Sequence, residues 1–146
     1  MGKSLRTAVY DSALGIEACR FRGVVQPFPS HFHDYYVIGL VDAGERSLTC
    51  RERSYTIRPG HLLLFNPGDS HGCTQRTGAL DYRSLHISRE AMARWAGEAA
   101  GQPLLPHFPQ NVLWDPEAAW ALGSLHELVL AEALGRVTDY VKNPEK

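Results

Sequence analysis

No stretch of this chain stays apolar for anything near the ~20 residues that cross a bilayer as a helix. The N-terminus also lacks the apolar segment that directs export, so a cytoplasmic location is the expectation, with no membrane partner. Charge of one sign is equally scarce: 15 Lys and Arg stand against 16 Asp and Glu, the formal net charge is −1, and no basic run stands out. The phosphate-neutralising surface that nucleic-acid binding demands is therefore not visible. Only three cysteines occur, Cys19, Cys50 and Cys73, at spacings that suit neither a zinc ribbon nor a disulfide scaffold. They read as small buried apolar residues of a protein kept in a reducing compartment. Nucleophile elbows, phosphate-binding glycine loops and metalloprotease helices are missing as well.

What is present suffices for one domain: 146 residues, 44% hydrophobic, can bury a core without disulfide or metal staples. The first three-fifths is punctuated by turn residues every ~8 to 12 positions, the rhythm of an antiparallel β protein. Strands are expected at 6–10, 16–24, 35–41, 46–51, 54–58, 61–65, 72–75 and 82–88. Turns fall at Asp42-Ala43-Gly44, Arg51-Glu52-Arg53, Pro59-Gly60 and Asn66-Pro67-Gly68-Asp69. The segment from Tyr35 to Val41 is apolar on both faces, so one face should line a barrel and the other lie under a helix or a second subunit. Ser88 can cap a helix that runs past Met92 and Trp95 to Gly101-Gln102-Pro103. Asp115-Pro116-Glu117 can open another. Beyond it Ala118, Leu122, Leu125, Val129, Ala133, Val137 and Tyr140 recur at helical spacing, as one helix or as a pair broken near Gly123 or Gly135. Residues 103–109, with three prolines, read as an extended connector.

The chemistry concentrates in His31-Phe32-His33 and in His71, which closes Asn66-Pro67-Gly68-Asp69-Ser70-His71. Residues two apart on a strand point the same way, so His31 and His33 share a face, and His71 can meet them from a neighbouring strand. Such a cluster is either a metal site or a polar patch in a ligand pocket. The same alternation adds Tyr35 and Val37 to the pocket wall, with Tyr55, Phe65 and His86 as further candidates. His86 is either a fourth nitrogen ligand or, the simpler reading, a partly buried histidine with a backbone partner. Trp95, Trp114 and Trp120 are expected to pack helices on the barrel. Arg20, Arg22, Arg46, Arg83 and Arg89 read as solvated surface; one turned inward would favour an anionic ligand.

The run Ser30-His31-Phe32-His33-Asp34-Tyr35-Tyr36-Val37-Ile38-Gly39-Leu40, followed by Gly60 and Asn66-Pro67-Gly68-Asp69-Ser70-His71, resembles the two halves of the cupin motif. Within that superfamily it resembles the N-terminal ligand-binding and dimerisation domain of AraC-type transcriptional regulators. The resemblance is close from about His31 to His86. It implies a mainly β, cupin-like jelly-roll barrel (about 5–88 and 110–114) followed by C-terminal helices (about 88–101 and 115–142). It further implies a small-molecule effector in the barrel, a homodimer through those helices, and DNA contacted only through a separate domain not in this chain. Metal-binding cupins carry a glutamate where this chain has Val37, so His31, His33 and His71 would offer three neutral nitrogens to one divalent metal, zinc or nickel. The expected function is effector sensing without catalysis, with residues 2–9 as an arm that could order over the pocket. The alternatives are a metal-dependent cupin oxygenase or isomerase using the same histidines, and a structural or storage cupin. Against the enzyme stand Val37 and the lack of a base, since Asp34 alternates away from the imidazoles and Asp69 sits in a turn.

Overall fold

The computed structural model describes residues 5–142. Within them the chain runs β1 (Leu5–Asp11), β2 (Ile16–Val24), β3 (Phe28–His31), β4 (Tyr36–Cys50), β5 (Arg53–Ile57), β6 (Leu62–Phe65), β7 (His71–Ile87), α1 (Arg89–Ala100), β8 (Val112–Leu113) and α2 (Pro116–Lys142). The strands form an antiparallel sheet in the order β1-β2-β7-β4-β6-β8, with β3 added on β7 and β5 on β4.

Two expected pairs of short strands are in fact two long strands. The segments 35–41 and 46–51 fuse into β4, and 72–75 and 82–88 fuse into β7. Asp42-Ala43-Gly44 does not reverse the chain: Val41 faces Tyr82 and Glu45 faces Thr77, so β4 keeps the same partner across it. The pairing slips there instead, and Gly44 takes φ +89°. That is a bulge, which bends the strand and raises its twist. A Cβ on Gly44 would sit 2.5 Å from the Ala79 carbonyl oxygen, so the bend needs glycine for space as well as for φ. Both long strands pass through it and serve both halves of the barrel.

The double apolar face of β4 is resolved as expected. Inward, Val37, Val41, Leu48 and Cys50 join Val24, Ile57, Leu63, Phe65 and Leu80 in the barrel core. Outward, Tyr36 joins Ile16, Ala18, Leu85 and Ile87 beneath Ala91 and Met92 of α1 and Val129 of α2. Ser88 caps α1, its Oγ accepting from the Ala91 N–H at 3.0 Å, and Gly101 ends it in the left-handed conformation. Asp115 caps α2, accepting from the Ala118 N–H at 3.1 Å. α2 continues through Gly123, whose missing side chain leaves room for the Arg83 guanidinium. The side chains expected on its stripe at Ala133, Val137 and Tyr140 lie outside the described residues.

Arg46 departs from its expected surface position. It is 0% exposed on the inward face of β4, donating to the Val24 and Gln26 carbonyls at 2.8 and 2.7 Å, with its guanidinium over the Phe28 ring. It pins the β2–β3 connection to the barrel and does not line the cavity. Arg83 is half-buried in a two-bond pair with Asp42, while Arg22 and Arg89 are exposed. Trp95 packs as expected, its indole N–H on the Leu14 carbonyl at 2.9 Å. Trp120 does not, being 75% exposed. Trp114, 62% exposed, covers Gly60 and meets His61 edge-on.

Candidate functional site

The turn at Asn66-Pro67-Gly68-Asp69 builds one wall of the site before any ligand chemistry is considered. The Asp69 carboxylate accepts from the Asn66 N–H and side-chain amide, both at 2.9 Å, and from the Asn111 amide at 3.0 Å. Asn66 in turn exchanges two hydrogen bonds with the Phe108 backbone, tying the 103–109 connector to the barrel rim. The turn delivers His71 to the first position of β7, directly opposite His31 at the last position of β3. His33 lies beyond β3, in the connection to β4, so its convergence comes from the path of that connection and not from strand alternation.

The three imidazoles meet. Ring centroids are 4.5 Å apart for His31 and His71, 4.8 Å for His31 and His33, and 5.5 Å for His33 and His71. One ligand atom from each lies within 4.8 Å of the others. The Nδ1 of His31 is 2.7 Å from the Pro29 carbonyl and that of His71 3.1 Å from the Asp69 carbonyl. A carbonyl only accepts, so Nδ1 carries a proton in both rings, which leaves Nε2 as the nitrogen available to a ligand. Burial, aided by the neighbouring imidazoles, pushes His71 down to about 4, and burial then His31 lowers His33. His71, held neutral with its Nδ1 proton on a carbonyl, is in the form that holds a cation or accepts from a ligand hydroxyl. The donor set fits one divalent ion on three nitrogens, with Val37 supplying no carboxylate.

Behind the histidines opens a cavity of about 230 Å³. Small-molecule sites span ~300–1,000 Å³, so this one selects a small ligand. Tyr35, Val37, Phe65 and His86 all line it. Phe65 stacks flat on His71 at 3.8 Å, and Tyr35 stacks on His33 at 4.6 Å. Tyr55 does not line it: half-buried on β5 opposite Leu48, it packs against the core instead. The expectation of a backbone partner for His86 is also corrected. Its Nδ1 is 3.2 Å from a Glu17 carboxylate oxygen and its Nε2 3.2 Å from the Ser84 hydroxyl.

Sequence reasoning missed Arg6, Phe21, Phe28, Tyr82 and Ser84 on the lining. The available signal was alternation on β2, where Ile16 and Ala18 are apolar and Glu17, Cys19 and Phe21 are mixed. The mixed face is the one that meets His86 and Ser84 of β7, and of its residues Phe21 reaches the cavity lining. The Tyr82 hydroxyl fills the space above Gly39, where a Cβ would overlap it at 1.8 Å.

Among solved structures, the chain resembles the Schizosaccharomyces pombe Cnp3 cupin domain, with a TM-score of 0.53 at 9% identity over 75% of this chain and 77% of that one. A cupin superfamily protein from Desulfitobacterium hafniense DCB-2 gives 0.51 at 14% identity, over 60% and 79%. At these identities the likeness shows a cupin fold and nothing about ligands. In sequence, the chain is 46% identical over 133 residues to an uncharacterized HTH-type transcriptional regulator, YbfI, of Bacillus subtilis (strain 168). The match takes in 90% of this chain and 48% of the relative, so the chain spans about half the length of that protein. Residues 14–139 match the family model described as AraC-like ligand binding domain, and the chain belongs to that family.

Proposed function

We propose that this chain is the effector-sensing half of a cytoplasmic transcriptional regulator, binding a small polar molecule in the barrel and acting on DNA through a separate domain. What carries the reading is the cavity itself: three imidazoles and Tyr35 gather at one end of a chamber that is largely apolar but also lined by Arg6, Ser84 and His86, in a chain of the AraC-like ligand-binding family. An aromatic wall beside a few fixed polar groups suits a small hydroxylated, sugar-like ligand, whose hydroxyls can donate to the free Nε2 atoms. If His31, His33 and His71 hold a divalent cation, it supplies a Lewis-acidic anchor for a ligand oxygen. The side chains then orient the ligand against Phe65 and Tyr35. No helix among the described residues is long and apolar enough to cross a membrane, which accords with the proposed location. Sensing also fits the site better than turnover, because Val37 stands where a ligating carboxylate would be and the Asp34 side chain is exposed.

Thermal unfolding in the presence of a panel of monosaccharides and small hydroxy acids tests this. A sensor ligand at about 100 times its Kd adds ~2.7 kcal/mol, which raises Tm by about 5–10 °C in a domain this size. The shift should shrink on His71→Ala and occur without chemical change in the ligand. Turnover of the ligand, or dioxygen uptake with metal present, would make the chain an enzyme. No shift with any panel member would leave the storage reading ahead.

A further inference from the structure

Beside the three histidines, a second group of donors lies where β2 pairs with β7, and of its three members His86 also lines the cavity. Glu17 and Cys19 are two apart on β2 and therefore share its inward face. Glu17 is registered opposite His86 and Cys19 opposite Ser84 on β7. The three ligand-type atoms form a tight triangle: Cys19 Sγ to Glu17 Oε1 is 3.2 Å, Glu17 Oε1 to His86 Nδ1 is 3.2 Å, and Cys19 Sγ to His86 Nδ1 is 3.7 Å. Ligands on a tetrahedron around zinc, with bonds of about 2.0–2.3 Å, stand roughly 3.3–3.7 Å from one another. The side chains are thus at coordination spacing before any ion arrives.

We propose that Glu17, Cys19 and His86 form a binding site for a zinc-class divalent cation, separate from the His31–His33–His71 group. Charge favours it. A thiolate, a carboxylate and a neutral imidazole cancel a 2+ ion, so little net charge has to be held next to apolar barrel residues. Three imidazoles leave the same ion uncompensated. The donor types decide which ion: thiolate and imidazole reject magnesium and calcium and suit zinc. The ring of His86 is already oriented, with Nε2 on the Ser84 hydroxyl at 3.2 Å and the Tyr35 ring stacked on it at 5.0 Å, which leaves Nδ1 facing the triangle. Cys19 is 1% exposed, and burial followed by the Glu17 carboxylate pushes its thiol up to about 12. Binding therefore displaces one proton: the S–H bond breaks, sulfur keeps the electron pair as it bonds the metal, and the proton leaves to solvent. The His86 proton moves from Nδ1 to Nε2, where the Ser84 oxygen accepts it. This site stands or falls independently of effector sensing, because it needs no organic ligand.

Cobalt(II), titrated into the full chain under reducing conditions, reports the ligands directly, since only a thiolate gives the near-ultraviolet sulfur-to-cobalt charge-transfer band. The expected result is that band at one equivalent, abolished in Cys19→Ser and retained in His31→Ala/His71→Ala. Glu17→Gln, at a half-exposed position that tolerates change, should keep the fold by circular dichroism and weaken cobalt binding at least ~10-fold. Cobalt bound without the band in the wild type, a band that persists in Cys19→Ser, no cobalt binding at all, or unchanged affinity in Glu17→Gln would each overturn the proposal.

Discussion

A single histidine away from the cavity shows how local contacts set a pH response. His61 Nδ1 accepts from the Arg58 N–H at 2.8 Å across the Pro59-Gly60 turn, and the ring lies edge-on to Trp114 at 5.6 Å. Burial, then the Arg58 charge, lowers its pKa below 6.5. The unfolded chain therefore binds the proton more readily than the folded one, so the contribution of His61 is complete above 6.5 and is lost as pH falls below it. Protonation also removes the lone pair that the Arg58 N–H uses. His61→Asn, whose amide oxygen can accept the same bond without titrating, should flatten part of the loss in urea midpoint between about pH 7 and about pH 5. An identical pH profile in the variant would show that this turn does not sense protons. Residue type alone also misplaced Arg46. A guanidinium reads as solvated until the structure shows two backbone carbonyls and an aromatic face receiving it inside the barrel.

Among the elements, β4 and β7 decide the architecture, and glycine at their bend decides β4 and β7. Gly44→Ala meets both a positive φ and a backbone oxygen at 2.5 Å, neither of which a rotamer change relieves. Held strain of this kind costs ~1–3 kcal/mol, so the urea midpoint should fall by that equivalent, with the m-value unchanged. A variant as stable as the wild type would mean that the bend can relax without the Ala79 carbonyl. The sequence marked the position correctly as needing glycine and assigned it the wrong consequence. A turn and a bulge draw on the same residue types, and only the continued pairing of Val41 with Tyr82 and Glu45 with Thr77 separates them. The helices were easier, because Ser88, Gly101, Asp115 and Pro116 act through contacts within one turn.

For the molecule as a whole, α2 is the element with surface left over. Val129 and His126 are buried against the barrel, yet Trp120, Leu125 and Leu128 are 75%, 41% and 64% exposed. At about 100° per residue Leu128 stands about 80° and Leu125 about 140° round the helix from Trp120, so the exposed apolar residues spread over the outward side of the helix. The homodimer expected through the C-terminal helices would bury this surface. Sedimentation should give a dimer for the wild type and a monomer for Leu128→Glu with unchanged circular dichroism, since a carboxylate buried at an interface is strongly unfavourable. A wild-type monomer at high protein concentration would remove α2 as the dimer element.

Turn chemistry, capping and motif spacing act over a few residues, so the β barrel, the helix ends, the family and the three histidines are legible in residue order alone. That His33 converges from a connection and not from a strand, that Tyr55 stays off the cavity, and that Glu17 and Cys19 meet His86 emerges on folding. Those outcomes depend on which strand pairs with which and in what register, and pairing between residues some seventy positions apart, such as Glu17 with His86, is fixed by packing of the whole barrel and not by local residue pattern.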